Sequence, residues 1–162
     1  MAIELTNDPV IDRYIQTLAK VIPSDRRHQL EKTLPIIDSS KDLIRRRAFL
    51  CADRAVRVFA VIALRAGGHT EEADKLNKLE PIIDGVTAYA AYVAANVADA
   101  AYAADAAYAA YIAYAADAAY AAAAAAANTE TWDEAIKLLD DLVALGRVNN
   151  PFENLLLAIT QL

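Results

Sequence analysis

The chain has 162 residues, of which 57% are hydrophobic and 23% charged, and carries a formal net charge of −6. That length and apolar content exclude a disordered polymer and allow one domain, residues 1–162, with its own core. Four glycines, five prolines and few alternating Val- or Thr-rich runs exclude a sheet-dominated chain and predict an all-α fold, a multi-helix bundle or short helical-repeat-like array. Charge is unevenly placed: residues 1–80 hold fourteen Lys/Arg against twelve Asp/Glu, and residues 81–162 hold two against ten, so +2 faces −8. The acidic half disfavours nucleic acid or an anionic membrane as partner and favours encounter with a basic protein surface.

In chain order, Asp8-Pro9 predicts a helix cap and first helical residue, and Val10, Tyr14, Leu18, Val21 and Ile22 recur at helical spacing, giving a helix over 9–22. The start MAIELTNDP has neither a basic n-region nor an apolar h-region, which predicts no signal peptide and a cytoplasmic home. Pro23-Ser24-Asp25 restarts the chain into a short helix over 26–34. Pro35 then opens the phrase PIIDSS, which offers caps for a long helix over 41–66. On that helix Ile44, Ala48, Cys51, Ala55, Phe59, Ile62 and Ala63 form the apolar arc, and Arg46, Arg47, Asp53, Arg54, Arg57 and Arg65 fall opposite. Gly67-Gly68 ends it. Thr70-Glu71-Glu72 starts the next helix, which runs to about Leu79. The lone Cys51, amid apolar neighbours, reads as a small core residue.

A second PIID begins at Pro81, forty-six residues after the first at Pro35, and suggests a duplication in which each half is a proline-started long helix. It leads into the segment that dominates the chain. Residues 84–127 are written in Ala, Tyr and Asp, with hexads DAAYAA at Asp99, Asp105 and Asp117 and one variant, YIAYAA, at Tyr111. Alanine has the best helix propensity, and no glycine or proline interrupts residues 86–127, so the run reads as helix, central to the fold and packed on many sides. In an unbroken helix a period of six turns successive aspartates by about 240°, so no stripe forms and neither a heptad coiled coil nor one compact metal cluster follows. Because alanine buries little area, the tyrosines are expected to supply core bulk. As one rod the run would be about 66 Å long, against about 40 Å for a compact globule of this size. Either the chain breaks near residues 107–116, where the Gly67-Gly68 turn maps onto Ala113 and Tyr114, or the domain is elongated, or it pairs with another copy. Three aspartates also argue against a membrane span. Beyond the run, Trp132, Ile136, Leu139, Leu142 and Val143 predict an amphipathic helix ending at Gly146, and Phe152, Leu155, Leu156 and Ile159 a last apolar stripe.

No enzyme motif, metal-ligand spacing or cofactor-binding loop is legible; His28 and His69 stand alone. Arg45, Arg46, Arg47, Arg54 and Arg57 form the one basic concentration, read either as an anion grip or, preferentially, as ion-pair partners for aspartates on other helices. Asp99, Asp105 and Asp117 with Tyr102, Tyr108 and Tyr120 are the candidate partner-binding side chains, since exposed tyrosines suit protein contacts.

The PIID phrase, the string DAAYAADAAYAAYIAYAADAAYAA and the closing WDEAIKLLDDLVALGR resemble alanine-rich bacterial proteins described as immunity proteins of polymorphic toxin systems. The resemblance covers roughly residues 51–147. It implies an all-α, non-enzymatic protein, without cofactor, that neutralises a toxin by binding it. A structural or ice-binding alanine helix is the alternative, set back by the lack of regular threonine; a small-ligand binder or enzyme with a site assembled only in three dimensions is the other.

Overall fold

A computed structural model describes residues 6–30 and 39–148. They form eight α-helices and no strand: α1 (Pro9–Val21), α2 (Lys41–Arg54), α3 (Val61–Ala66), α4 (Thr70–Asn77), α5 (Gly85–Val97), α6 (Ala101–Tyr111), α7 (Ala115–Thr129) and α8 (Trp132–Val148). The protein is all-α, as composition and periodicity predict, and no helix among the described residues is long and apolar enough to cross a membrane. The first PIID and the stripe after Pro151 lie outside the described residues.

Local chemistry sets most helix ends. Asp8 caps α1 by accepting from the Val10 and Ile11 amides at 3.0 and 3.1 Å, with Pro9 in the first turn. Of the helix expected over 26–34, residues 31–34 lie outside the described residues, and the described part is a 3₁₀ turn, Ser24–Gln29, with no buried side chain of its own. Without an apolar face to dock, six residues gain little from a full α-turn. Residues 41–66 are one helical column, but its middle, Ala55–Ala60, widens into a π-helical turn between α2 and α3. Asp84 and Thr87 cap α5 reciprocally, as Asp84 accepts from the Thr87 amide at 2.9 Å. Those hydrogen bonds hold the Asp84 carboxyl below its ordinary pKa.

The alanine-tyrosine run is three helices, not one. It turns at Asp99 (φ 55°) and Ala113 (φ 66°), both left-handed. Each turn is a Schellman closure: Ala100 N–H donates to Ala95 O and Tyr114 N–H to Ala109 O, at 2.9 and 2.8 Å. The same closure ends α3 at Gly68 (φ 83°) and α7 at Glu130 (φ 51°), through His69 N–H to Leu64 O and Thr131 N–H to Ala126 O. The break lies within the expected 107–116 window, at Ala113, onto which the forty-six-residue offset maps the Gly67-Gly68 turn, and the break at Asp99 is additional. The offset does not extend to that second break: Asp53, which it aligns with Asp99, sits inside α2, whereas Asp99 ends a helix.

Folded back on itself, the run makes a layer. α5 packs on α6, α6 on α7, and α7 on α1, while α2, the π turn and α8 back the layer from behind. The inner faces are alanine: Ala103, Ala104, Ala106, Ala107, Ala109 and Ala110 on α6, and Ala118, Ala119, Ala121, Ala122, Ala123, Ala125 and Ala126 on α7, are all buried. Methyl-sized side chains let the helices approach closely on several sides, which places α7 at the centre of the fold. The expectation that tyrosines fill this core is overturned. Tyr89, Tyr102, Tyr108, Tyr111, Tyr114 and Tyr120 are exposed, and the bulk comes from behind the layer, from Phe59, Leu76, Leu138, Leu139 and Leu142.

The back of the layer is fastened by polar contacts that cross between elements. Arg47 is fully buried: its guanidinium pairs with Asp8 at 2.5 Å and its Nε donates to Leu142 O at 2.9 Å. The arc opposite the apolar one is therefore not all solvent-facing, because through Arg47 it ties α1, α2 and α8 together. Tyr14 OH donates to Ala135 O at 3.0 Å, joining α1 to α8. Cys51 is a core residue as predicted, and burial first, then the Asp8 charge, pushes its thiol pKa far up, leaving an inert neutral thiol.

Candidate functional site

Because α6 is flanked by α5 and α7 and backed by α2 and the π turn, a single strip of it can meet solvent. That strip carries Tyr102, Asp105, Tyr108 and Tyr111. α7, flanked by α6 and α1 and backed by α2 and α8, likewise exposes Asp117 and Tyr120. The hexad that cannot make a stripe on one continuous helix thus makes one on two: the break at Ala113 resets the phase, so each Asp-Ala-Ala-Tyr turns its polar pair outward and its alanines inward. Five of the six predicted partner-binding residues, Tyr102, Asp105, Tyr108, Asp117 and Tyr120, stand on the outer face of one layer. The sixth, Asp99, is exposed in the turn between α5 and α6.

The tyrosines are arranged rather than scattered. Tyr89 and Tyr92 of α5 meet Tyr111 and Tyr108 of α6, with ring centroids 5.3 Å apart for Tyr89–Tyr111 and 5.1 Å for Tyr92–Tyr108. The rings of each helix lie 6.1 and 6.4 Å apart, closing a four-ring cluster of tilted pairs. Such pairs contribute about 0.5–1.5 kcal/mol each when well packed, toward the low end where half exposed, and they fix the rings in place. At the other edge, the Arg13 guanidinium sits 5.0 Å over the Tyr120 ring.

Beside the cluster, α5 turns an apolar strip to solvent: Val86 and Val97 are each 80% exposed, with Tyr89 and Val93 between them and Ile83 just before. No charged residue occurs from Gly85 to Ala98. From the sequence, Tyr89, Tyr92 and Tyr111 count among tyrosines too widely distributed to form one stacking platform, which the four-ring cluster corrects, because α5 folds back on α6; the valines of α5 were missed. The signal was present as the spacing 86, 89, 93, 97, but apolar residues at helical spacing ordinarily read as a core face.

The five arginines do not assemble an anion grip. Three consecutive residues on a helix point about 100° apart, and Arg47 is buried while Arg45 and Arg46 are exposed. Arg45 lies over the Phe49 ring at 5.6 Å. Arg54 reaches Asp141 of α8 at 2.9 Å, the expected pairing of basic and acidic halves, and Arg57 pairs within its own helix with Asp53 at 3.0 Å. Arg26 to Asp133, 2.5 Å apart, adds another link between halves. None of these partners is Asp99, Asp105 or Asp117.

Two cavities accompany these surfaces. One, of about 210 Å³, lies between α2 and the segment before α5, against Phe49, Leu50, Ile82 and Leu145. The other, of about 280 Å³, opens where α3 ends, α6 begins and α7 ends, and includes His69, Asp99 and Tyr102. No group of three or more His, Cys, Asp or Glu positioned to hold a metal ion occurs among the described residues. Comparison with protein-family models, with curated proteins and with solved structures finds no match.

Proposed function

We propose that this chain is a non-enzymatic binding protein that neutralises a basic protein partner, a bacterial toxin domain, by covering it with the outer face of α5, α6 and α7. The observation that carries the reading is the outward display of Tyr89, Tyr108 and Tyr111, held in one ordered cluster with the half-buried Tyr92, next to an uncharged apolar strip and the carboxylates of Asp105 and Asp117. Aromatic anchors held in fixed rotamers lose little entropy on binding and account for much of the energy at protein interfaces. An apolar strip rimmed by polar groups has the make-up of a contact surface. The carboxylates supply steering toward a positive partner, an effect on association rate that salt weakens. The resemblance to immunity proteins supplies the class of partner.

The test is a kinetic titration against the product of the neighbouring gene. Asp105→Asn with Asp117→Asn should slow association and flatten its salt dependence. Tyr108→Ala with Tyr111→Ala should speed dissociation, with losses of about 2 kcal/mol or more at hot-spot positions. A partner that does not bind, or binds equally well after both pairs of substitutions, refutes the reading or its placement on this face.

A further inference from the structure

The 280 Å³ cavity lies off the layer's tyrosine cluster, at the end of the fold where five helix termini meet. Its floor is Phe59 and Ala60 of the π turn, Ala63 of α3, Ala103 of α6 and Ala125 of α7. Phe59, Ala60, Ala103 and Ala125 are buried, and apart from Phe59 and the neighbouring Leu64 the floor offers only methyl groups. The mouth carries His69, Asp99, Tyr102 and Asn128. An apolar floor with a few convergent polar groups is the usual make-up of a small-molecule site, and the volume sits near the lower end of the common range of about 300–1,000 Å³.

Three features of the backbone are spent on this mouth. Asp99 holds a left-handed conformation (φ 55°), which glycine, asparagine and aspartate adopt more readily than other residues. Gly68 (φ 83°) closes α3 and delivers His69 to the rim. A Cβ on Gly67 would stand 3.1 Å from the His69 ring, so the glycine is what lets the imidazole fold back there. Electrostatically, Asp99 is the one side chain with a formal charge in the lining, and no lysine or arginine joins it. The C-terminal ends of α3, α5 and α7 and the N-terminal ends of α4, whose cap is His69, and α6 all reach the site, so the helix termini largely offset one another and the charge preference rests on Asp99. The exposed Tyr102 ring adds a face that attracts cations.

From this arrangement we propose that the cavity is a binding site for a small organic ammonium: an apolar body of about ten non-hydrogen atoms on the alanine floor, with its charged nitrogen at Asp99 and Tyr102. Carboxylates of the same shape are disfavoured by the Asp99 charge. The mouth shares Tyr102 with the outer face of α6, but the proposal does not rest on the protein-binding reading.

The experiment compares three probes that share a phenyl body, 2-phenylethylamine, 2-phenylethanol and 3-phenylpropanoate, titrated into the full chain and followed by amide chemical shifts. The amine should bind with shifts centred on residues 99–103, 63–69 and 125–129, about tenfold tighter than the alcohol, with the carboxylate weaker still. Asp99→Asn keeps a residue suited to the left-handed turn and removes the charge, so it should abolish the preference for amine over alcohol while both still bind. Ala63→Leu, at a half-buried position on the floor, should abolish binding of all three. If it unfolds the protein, Ala101→Phe at the exposed mouth does the same service. Equal affinity for the three probes, an amine preference that survives Asp99→Asn, or an absence of shifts at the cavity with any probe overturns the proposal.

Discussion

Substituting glycine at Ala113 should stabilise the protein, although glycine is ordinarily a poor replacement for alanine in a helix-rich segment. Ala113 is exposed and left-handed (φ 66°), so its methyl group contacts no core and opposes the backbone carbonyl. That conformation costs an L-residue about 1–2 kcal/mol, and glycine relieves it at an entropic cost of about 0.5–1 kcal/mol. The net is a gain of about 0.5–1 kcal/mol, or about 1–4 °C in Tm for a chain of this size. Seven residues earlier the same change has the opposite sign. Ala106 is fully buried inside α6, where Ala→Gly forfeits about 1 kcal/mol of helix propensity and leaves a void between closely packed helices. Denaturant unfolding followed by far-UV circular dichroism measures both variants against the parent. If Ala113→Gly destabilises as much as Ala106→Gly, the helix continues through residue 113 and the layer described above does not exist.

Further outcomes follow from the fasteners behind the layer. Arg47→Met should cost about 3–5 kcal/mol, because it strands the buried Asp8 carboxylate, and adding Asp8→Asn, which keeps the α1 cap, should recover a large part of the loss; a simple sum of the two single losses in a double-mutant cycle would mean that the pair is not coupled. Cys51 should react with a thiol reagent at pH 8 at the rate of global unfolding and no faster, since burial keeps its thiol neutral; fast labelling of the native protein would contradict the packing around it. Cys51 and Tyr14 both have pKa values raised by burial, so above the ordinary thiol value of about 8.5 the unfolded chain releases protons that the folded chain retains. Stability should therefore fall as pH rises from about 8.5, and Cys51→Ala should remove the earlier part of that decline. Proline at Ala106 should cost about 3 kcal/mol or more, read by the same denaturant assay.

What was legible in the sequence is what local chemistry decides. Asp8-Pro9 announces the start of α1 because a cap needs only its own next turn, and Gly67-Gly68 announces the end of α3 because glycine accepts positive φ. The turn at Ala113 was reached by length together with the forty-six-residue offset from Gly67-Gly68, since the residue itself is the best helix former there is. The turn at Asp99 was not reached, because neither residue type nor length demands a second break. Tertiary packing supplies it: three short helices bury thirteen α6 and α7 alanines against one another, which outweighs the helical hydrogen bonds forgone at two turns, and the Schellman closures recover most of those. The burial of Arg47 was not legible for a related reason. Helical spacing groups it with its charged neighbours, and its counterion lies thirty-nine residues earlier, in a cap whose second role no local rule reveals. The candidate face was half legible: the Asp-Tyr pairs were singled out, but their alignment depends on the phase reset at Ala113, and the tetrad depends on α5 folding back on α6.

The division of labour within the repeat is the strongest reason to treat that face as functional. A core of alanine against alanine gains little per residue from apolar burial, and its stability rests on close approach and on many small contacts. A fold under selection for stability alone would turn its largest apolar side chains into such a core. Here six tyrosines and the valines of α5 point to solvent, where they add little to folding and raise the risk of association. The inward faces of α6 and α7 are already closed by methyl groups, so moving Tyr108 or Tyr120 inward would overpack the helices. The hexad therefore encodes two surfaces at once: a thin inner face that lets three helices lie close together, and an outer face whose aromatic rings are set at regular intervals by that closeness. Widening the inner face would pull Tyr92 away from Tyr108 and Tyr89 from Tyr111. Ala107→Val, a buried position between the helices, accordingly should loosen the tyrosine cluster as well as the core, visible as a loss of near-UV circular dichroism from the rings; an unchanged aromatic signal in a destabilised variant would show that the cluster is held by its own ring contacts and not by the alanine packing beneath it.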